Sequence, residues 1–206
     1  PRWIWFITGP TACGKTTVAK GLAQALGFKF VEGDDYHPPH NREKLSRNEP
    51  LTDQDRAAWL DALSKLESSQ PDTDDATHDG SSNLVITCSA LKKPYRDILR
   101  RGGGAHHSQE AGGNLQAGRR DMRVRFVLLD VDEDVLRQRA RERHGHFVGE
   151  GLVASQVRTL ERPAGDGDHD HDSEEGDVLV VEVGKGIGVE DTVAEVERRV
   201  KGEMGL

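Results

Sequence analysis

A chain of 206 residues is long enough for one domain with surface insertions, and its formal charge of -8 argues against a general nucleic-acid binder, which needs clustered Lys and Arg against phosphate. The hydrophobic fraction is 34% and glycines number 23, the composition of an ordinary core diluted by polar loops. Two cysteines, Cys13 and Cys88, make no disulfide framework and fit a reduced, cytoplasmic setting, and no apolar run is long enough to enter a membrane as a spanning helix.

In chain order the predicted elements alternate strand and helix. Residues 3–8 are apolar, aromatic and β-branched, the pattern of a buried strand. Residues 15–26 set Val18, Leu22, Ala25 and Leu26 at helical spacing, and Gly27 is a stop. A second strand follows at 28–31. A helix at 53–66 carries Trp59, Leu60, Leu63 and Leu66 on one face. Strands at 84–88, 124–129 and 178–183 are followed by helices near 95–100, from 132 to about 143, and at 189–200. Such alternation predicts a mostly five-stranded parallel sheet with helices on both faces, a three-layer α/β/α domain over residues 1–206. The polar stretches 68–83, 102–118 and 164–177 lack apolar periodicity and read as flexible insertions. His169 and His171 in the last of these are assigned no metal, because a metal site needs fixed geometry and supporting partners.

Residues 9–16, GPTACGKT, match G-x-x-x-x-G-K-[ST], between a predicted strand and a predicted helix. Gly9 and Gly14 allow the close backbone approach that such a loop requires. The amides around Ala12, Cys13 and Gly14, with the helix N-terminus, are suited to cradling phosphates. Lys15 is expected to reach the β- and γ-phosphates, Thr16 to ligate Mg²⁺ and Thr17 to contact the α-phosphate. ATP and Mg²⁺ are therefore the expected cofactors. The second strand runs into VEGDDYHPPHN, and carboxylates at the carboxyl end of a parallel strand sit beside the ligand crevice. Asp34 or Asp35 is placed to orient Mg²⁺ through water or to accept a hydroxyl proton.

The segment 32–60 resembles the signature of the gluconokinase family through Glu32, Gly33, Asp34, His37, Pro38, Asn41, Lys44, Pro50, Leu51, Asp53, Asp55, Arg56, Trp59 and Leu60. Residues 87–100 and 137–163 extend the match through Ser89, Lys92, Tyr95, Arg96, Arg139, Arg143, His146 and Gln156, in family order. Ala58 and His144 depart from the family's usual Pro and Lys. The resemblance implies a P-loop kinase fold with a helical lid at about 137–160, transferring phosphate from ATP to the 6-hydroxyl of D-gluconate. It implies that Arg56 and Arg96 grip a carboxylate, as planar guanidinium forks do. By the same resemblance His37, Lys44, Lys92, His146 and Gln156 bind the acceptor. Asp34 orients its hydroxyl and takes part in holding the metal with Thr16. Arg139 and Arg143, spaced for one helix face, close over ATP and stabilise the transferring group. The backbone at 184–188, Gly186 included, contacts adenine, and a homodimer is implied in the same way. Two other readings stay open: a related P-loop kinase for another small anionic acceptor, and a nucleotide-binding protein without catalysis. Lys15, Thr16, Asp34 and the arginine pair argue against the latter.

Overall fold

Strand β1 (Arg2–Thr8) is buried from Trp3 to Thr8, the condition of a central strand covered on both faces. In the computed structural model, which describes residues 1–66, 83–102, 122–142, 150–163 and 175–206, β1 pairs in parallel with β3 (Leu84–Thr87) on one side and β4 (Met122–Val131) on the other. With β2 (Lys29–Val31) and β5 (Val178–Val183) at the edges, the described strands form one five-stranded parallel sheet in the order β2-β3-β1-β4-β5.

Successive β1 side chains point to opposite faces, so the strand feeds two cores. Trp3, Trp5 and Ile7 join Leu22 of α1 (Lys15–Leu26) and Val196 and Val200 of α7 (Val189–Met204). Ile4 and Phe6 join Trp59, Leu60 and Leu63 of α3 (Asp53–Leu66) and Leu99 of α4 (Lys93–Gly102). Phe6 also stacks on Phe126 of β4, ring centroids 5.4 Å apart. The three layers expected from the strand-helix alternation are present. Helices α1 and α3 and strand β5 occupy the predicted residues.

A 3-10 turn (Gly33–Tyr36) and α2 (Pro39–Ser46) separate β2 from α3. The apolar periodicity predicts no helix at α2, because PHNREKLS has no apolar stripe. Its one legible signal is Pro39 in the first turn, where a missing N–H costs nothing. After β4 come α5 (Glu133–Glu142) and α6 (Glu150–Thr159).

Most of the three predicted insertions lies outside the described residues, but their edges are anchored. Asn83 Oδ1 accepts from the Trp3 amide at 2.8 Å, and Gly102 is the last residue of α4, packed against Ser64. Glu175 is buried and bridges two arginines of α4: Arg96 Nε at 2.9 Å and Arg100 Nη2 at 2.6 Å. Asp177 accepts from Arg100 Nε at 2.7 Å. Residues 175–177 thus form a clamp between α4 and the start of β5.

Burial alone would raise the Glu175 carboxyl. The bonds from Arg96 and Arg100 outweigh it and hold the group below its ordinary value of 4.5. A depressed native pKa contributes stability that is present above the unfolded value and lost as pH falls through the native one. Glu175→Gln is expected to cost about 3–5 kcal/mol at neutral pH, since it strands buried guanidinium charge. The difference from wild type should shrink as pH falls below the ordinary value of 4.5 and on through the depressed native one. Urea unfolding of both proteins between neutral and acid pH checks this; a constant difference counts against the pairing.

Candidate active site

The carboxyl ends of the parallel strands face one crevice, the usual ligand side of such sheets. Beyond β1 the chain turns through the glycine-rich loop. Gly9 has φ 134°, and a Cβ there would lie 2.9 Å from both Leu129 O and Cys13 Sγ, so only glycine fits. Ala12 is held at φ 64°, a conformation costly for a residue with a side chain. Lys15 Nζ folds over the loop, donating to the carbonyls of Gly9 at 3.1 Å and Pro10 at 2.9 Å. No side chain caps the start of α1, so its first amides stay available to an anion.

The end of β2 is tied to this loop by one carboxylate. Glu32 accepts from Thr16 Oγ1 at 2.9 Å and, through its other oxygen, from Thr87 Oγ1. Thr87 Oγ1 in turn accepts the Gly33 amide at 2.9 Å. Thr16 and Asp34 are the residues expected to hold the metal; in the structure the side-chain partner of Thr16 is Glu32. Asp34 lines the same cleft from the 3-10 turn with a side chain 70% exposed. The signal for Glu32 was its place, immediately beyond the carboxyl end of a parallel strand.

A cleft of about 840 Å³ runs from the loop to the other side of Glu32, where Asp34, His37, Arg56 and Trp59 line it. Arg56 is 7% exposed and donates to the Leu51 carbonyl, with Cζ 5.7 Å above the Tyr95 ring. Among the described residues it has no ion-pair partner. A buried guanidinium without a carboxylate at the wall of a cleft is a receptor for an anion. His37 stacks on Trp59, and burial first, then Arg56 and Arg42, lower its pKa to about 4.

Helices α5 and α6 each send one side chain to the loop. Arg139 Nη1 donates to Cys13 O at 3.4 Å, and Gln156 Oε1 accepts from the Thr11 amide at 2.7 Å. Arg143 and His146 lie outside the described residues. Thr17 lines the cleft, whereas the Cys13 side chain is buried under the loop.

Other predicted acceptor ligands are turned elsewhere. Lys44 Nζ sits 2.8 Å from both oxygens of Asp55. Lys92 Nζ sits 3.0 and 2.9 Å from those of Asp53. Arg96 gives its donors to Glu175, Ala90 O and Glu161 O. Each cation has an internal acceptor, and none lines the cleft. Gly186, at φ 86° in the loop before α7, does not line it either.

A parallel sheet whose first strand feeds a phosphate-cradling loop, with an acceptor pocket beyond a bridging carboxylate, defines a P-loop kinase. The family model described as an AAA domain matches residues 4–163. The chain is 40% identical over 166 residues to the gluconokinase of Gluconobacter oxydans, covering 81% of this chain and 79% of that one. It is 34% identical over 185 residues to a probable gluconokinase of Schizosaccharomyces pombe, covering 90% and 82%. The crystal structure of a gluconokinase from Sinorhizobium meliloti 1021 superposes with a TM-score of 0.65 at 30% identity, covering 98% and 97% of the two chains. The chain belongs to the gluconokinase family.

The geometry separates two classes of lysine. Lys15→Ala is expected to weaken ATP binding and to lower turnover by about a hundredfold or more, as loss of one charge-stabilising donor does. Lys92→Gln, whose ammonium faces Asp53, is expected to leave both near wild type. Calorimetric titration with ATP and steady-state ADP release measure the two; equal damage from both variants would contradict the placement.

Proposed function

We propose that the chain transfers the γ-phosphoryl group of ATP to the 6-hydroxyl of D-gluconate, giving 6-phospho-D-gluconate and ADP. The observation that carries the acceptor side is Arg56: a buried guanidinium, unpaired among the described residues, across the cleft from the phosphate loop. Its planar fork matches a carboxylate, and gluconate has one where glucose has none.

The loop amides and Lys15 hold the phosphates. Thr16 Oγ1 and the Glu32 carboxylate are hard oxygen donors that fit Mg²⁺, which takes few protein ligands and keeps water and phosphate oxygens. When bound, the ion neutralises charge on the transferring phosphate. Asp34 orients the 6-hydroxyl for in-line attack. The new O–P bond forms as the β–γ bridge breaks, and the hydroxyl proton passes to Asp34 or to water. The loose transition state asks more of positioning than of base strength. Arg139, lying over the loop, is placed to stabilise equatorial charge, and α6 excludes water through Gln156. The proposal includes a cytoplasmic setting, supported by two unpaired cysteines, and a homodimer, supported by family resemblance.

The test is coupled ADP release over gluconate, glucose, shikimate and nucleoside monophosphates. Gluconate is expected to lead. Charge-assisted hydrogen bonds contribute about 1.5–3 kcal/mol each, so glucose should fall roughly ten- to a hundredfold or more in kcat/KM. Arg56→Lys is expected to raise the gluconate KM while ATP binding holds, because a point charge cannot reproduce the fork. Equal use of gluconate and glucose by the wild type would overturn the proposal.

A further inference from the structure

Two hydrogens on one amide set the state of a ring in the acceptor half of the cleft. Asn41, on α2, is fully buried. Its Nδ2 lies 2.8 Å from the Asp55 carbonyl oxygen and 3.3 Å from His37 Nδ1. A carbonyl only accepts, so the atom facing Asp55 is the NH₂ group; the flipped amide would set two acceptors against each other. One hydrogen goes to Asp55. The other goes to His37 Nδ1, which can take it only as a bare nitrogen. A neutral imidazole with a bare Nδ1 carries its proton on Nε2.

The ring is also fixed in plane. It stacks on Trp59 with centroids 4.1 Å apart and planes 19° from parallel, and Trp59 is held by its Nε1 bond to Gly33 O at 2.7 Å. The charged groups around the ring are Asp34 of the 3-10 turn, Arg42 of α2 and Arg56 of α3. Burial and the two arginines keep the imidazole neutral at pH 7. Its Nε2 lies 3.8 Å from Asp34 Oδ1.

We infer that Asn41 is a positioning residue that locks His37 as the Nε2–H tautomer, so that His37 and Asp34 form a donor–acceptor pair reading one hydroxyl of the acceptor. This deepens the proposed function and rests on it for the identity of that acceptor. A separation of 3.8 Å is too long for a direct hydrogen bond. A hydroxyl oxygen between the two groups accepts from Nε2–H and donates to the carboxylate. A carbonyl oxygen satisfies only His37, and a methylene satisfies neither. Sites built to bond a hydroxyl reject analogues lacking it, because their own polar groups are left unpaired. With the opposite tautomer the ring would turn a lone pair toward the carboxylate, and this discrimination would vanish.

Long-range ¹H–¹⁵N NMR of the full chain, labelled at histidine and without acceptor, reads the tautomer directly; loss of the signal in His37→Gln assigns it. The expected result, read where the ring is neutral, is a protonated Nε2 and a bare Nδ1. An Nδ1–H tautomer would overturn the inference. Asn41→Asp puts a carboxylate where Nδ1 needs a donor. It is expected to hold the ring's proton on Nδ1 once the ring is neutral, leaving Nε2 bare, and so to lower gluconate kcat/KM by roughly tenfold or more, the loss deepening as pH rises and the ATP KM unchanged. Wild-type gluconate kinetics in a folded Asn41→Asp protein would count against it. His37→Gln, whose amide can supply an N–H, should retain more activity than His37→Leu; equal loss in both would remove the donor role. Because the NMR arm contains no acceptor, its failure sinks the tautomer alone, whereas failure of gluconate in the acceptor panel sinks only the substrate reading.

Discussion

At residue 33 the backbone passes so close to β3 that an added Cβ would lie 1.9 Å from the Thr87 carbonyl oxygen. Everything in the cleft depends on that approach. It lets the Gly33 amide reach Thr87 Oγ1, lets Glu32 span from Thr87 to Thr16, and leaves the Gly33 carbonyl to accept the Trp59 indole. On one side of this crossing lies the phosphate loop. On the other lies the ring stack of Trp59 and His37, with Asp34 at the mouth. A donor site and an acceptor site share one wall because one residue has no side chain.

The electrostatics divide along the same line. Cations that organise the scaffold are matched internally: Arg96 and Arg100 to Glu175, Arg100 to Asp177, Lys44 to Asp55, Lys92 to Asp53. Arg56 instead reaches the cleft with a backbone carbonyl as its hydrogen-bond acceptor. Removing a guanidinium from water without a counter-ion is costly, and a binding site recovers that cost only when its anion arrives. The arrangement therefore favours charged acceptors over neutral ones of the same shape.

Much of this was legible in the sequence, for physical reasons that differ by element. The strands and the helices at 15–26 and 53–66 bury periodic apolar faces, so hydropathy located them. The phosphate loop was readable because its glycines and lysine have little alternative use in that strand–helix context. Helix α2 was not, since it buries only the polar Asn41 and offers no apolar stripe. Arg56 and Arg96 look alike in sequence, and both were expected to hold the acceptor. What separates them is Glu175, which lies at the end of an acidic tract that composition marks as solvated. Glu32 was visible only as part of a motif; its bond to Thr16 depends on the backbone approach at Gly33. The tautomer of His37 follows from an amide orientation that no spacing encodes.

Phosphate donor and carboxylate acceptor are proposed to share one cleft, on either side of Glu32. A crystal structure with gluconate and a non-hydrolysable ATP analogue tests it most directly. The acceptor carboxylate is expected on Arg56, a hydroxyl between His37 and Asp34, and the terminal phosphate on Lys15 facing that acceptor. Gluconate bound with its carboxylate on Lys44, Lys92 or Arg96, and their internal ion pairs broken to receive it, would contradict this arrangement.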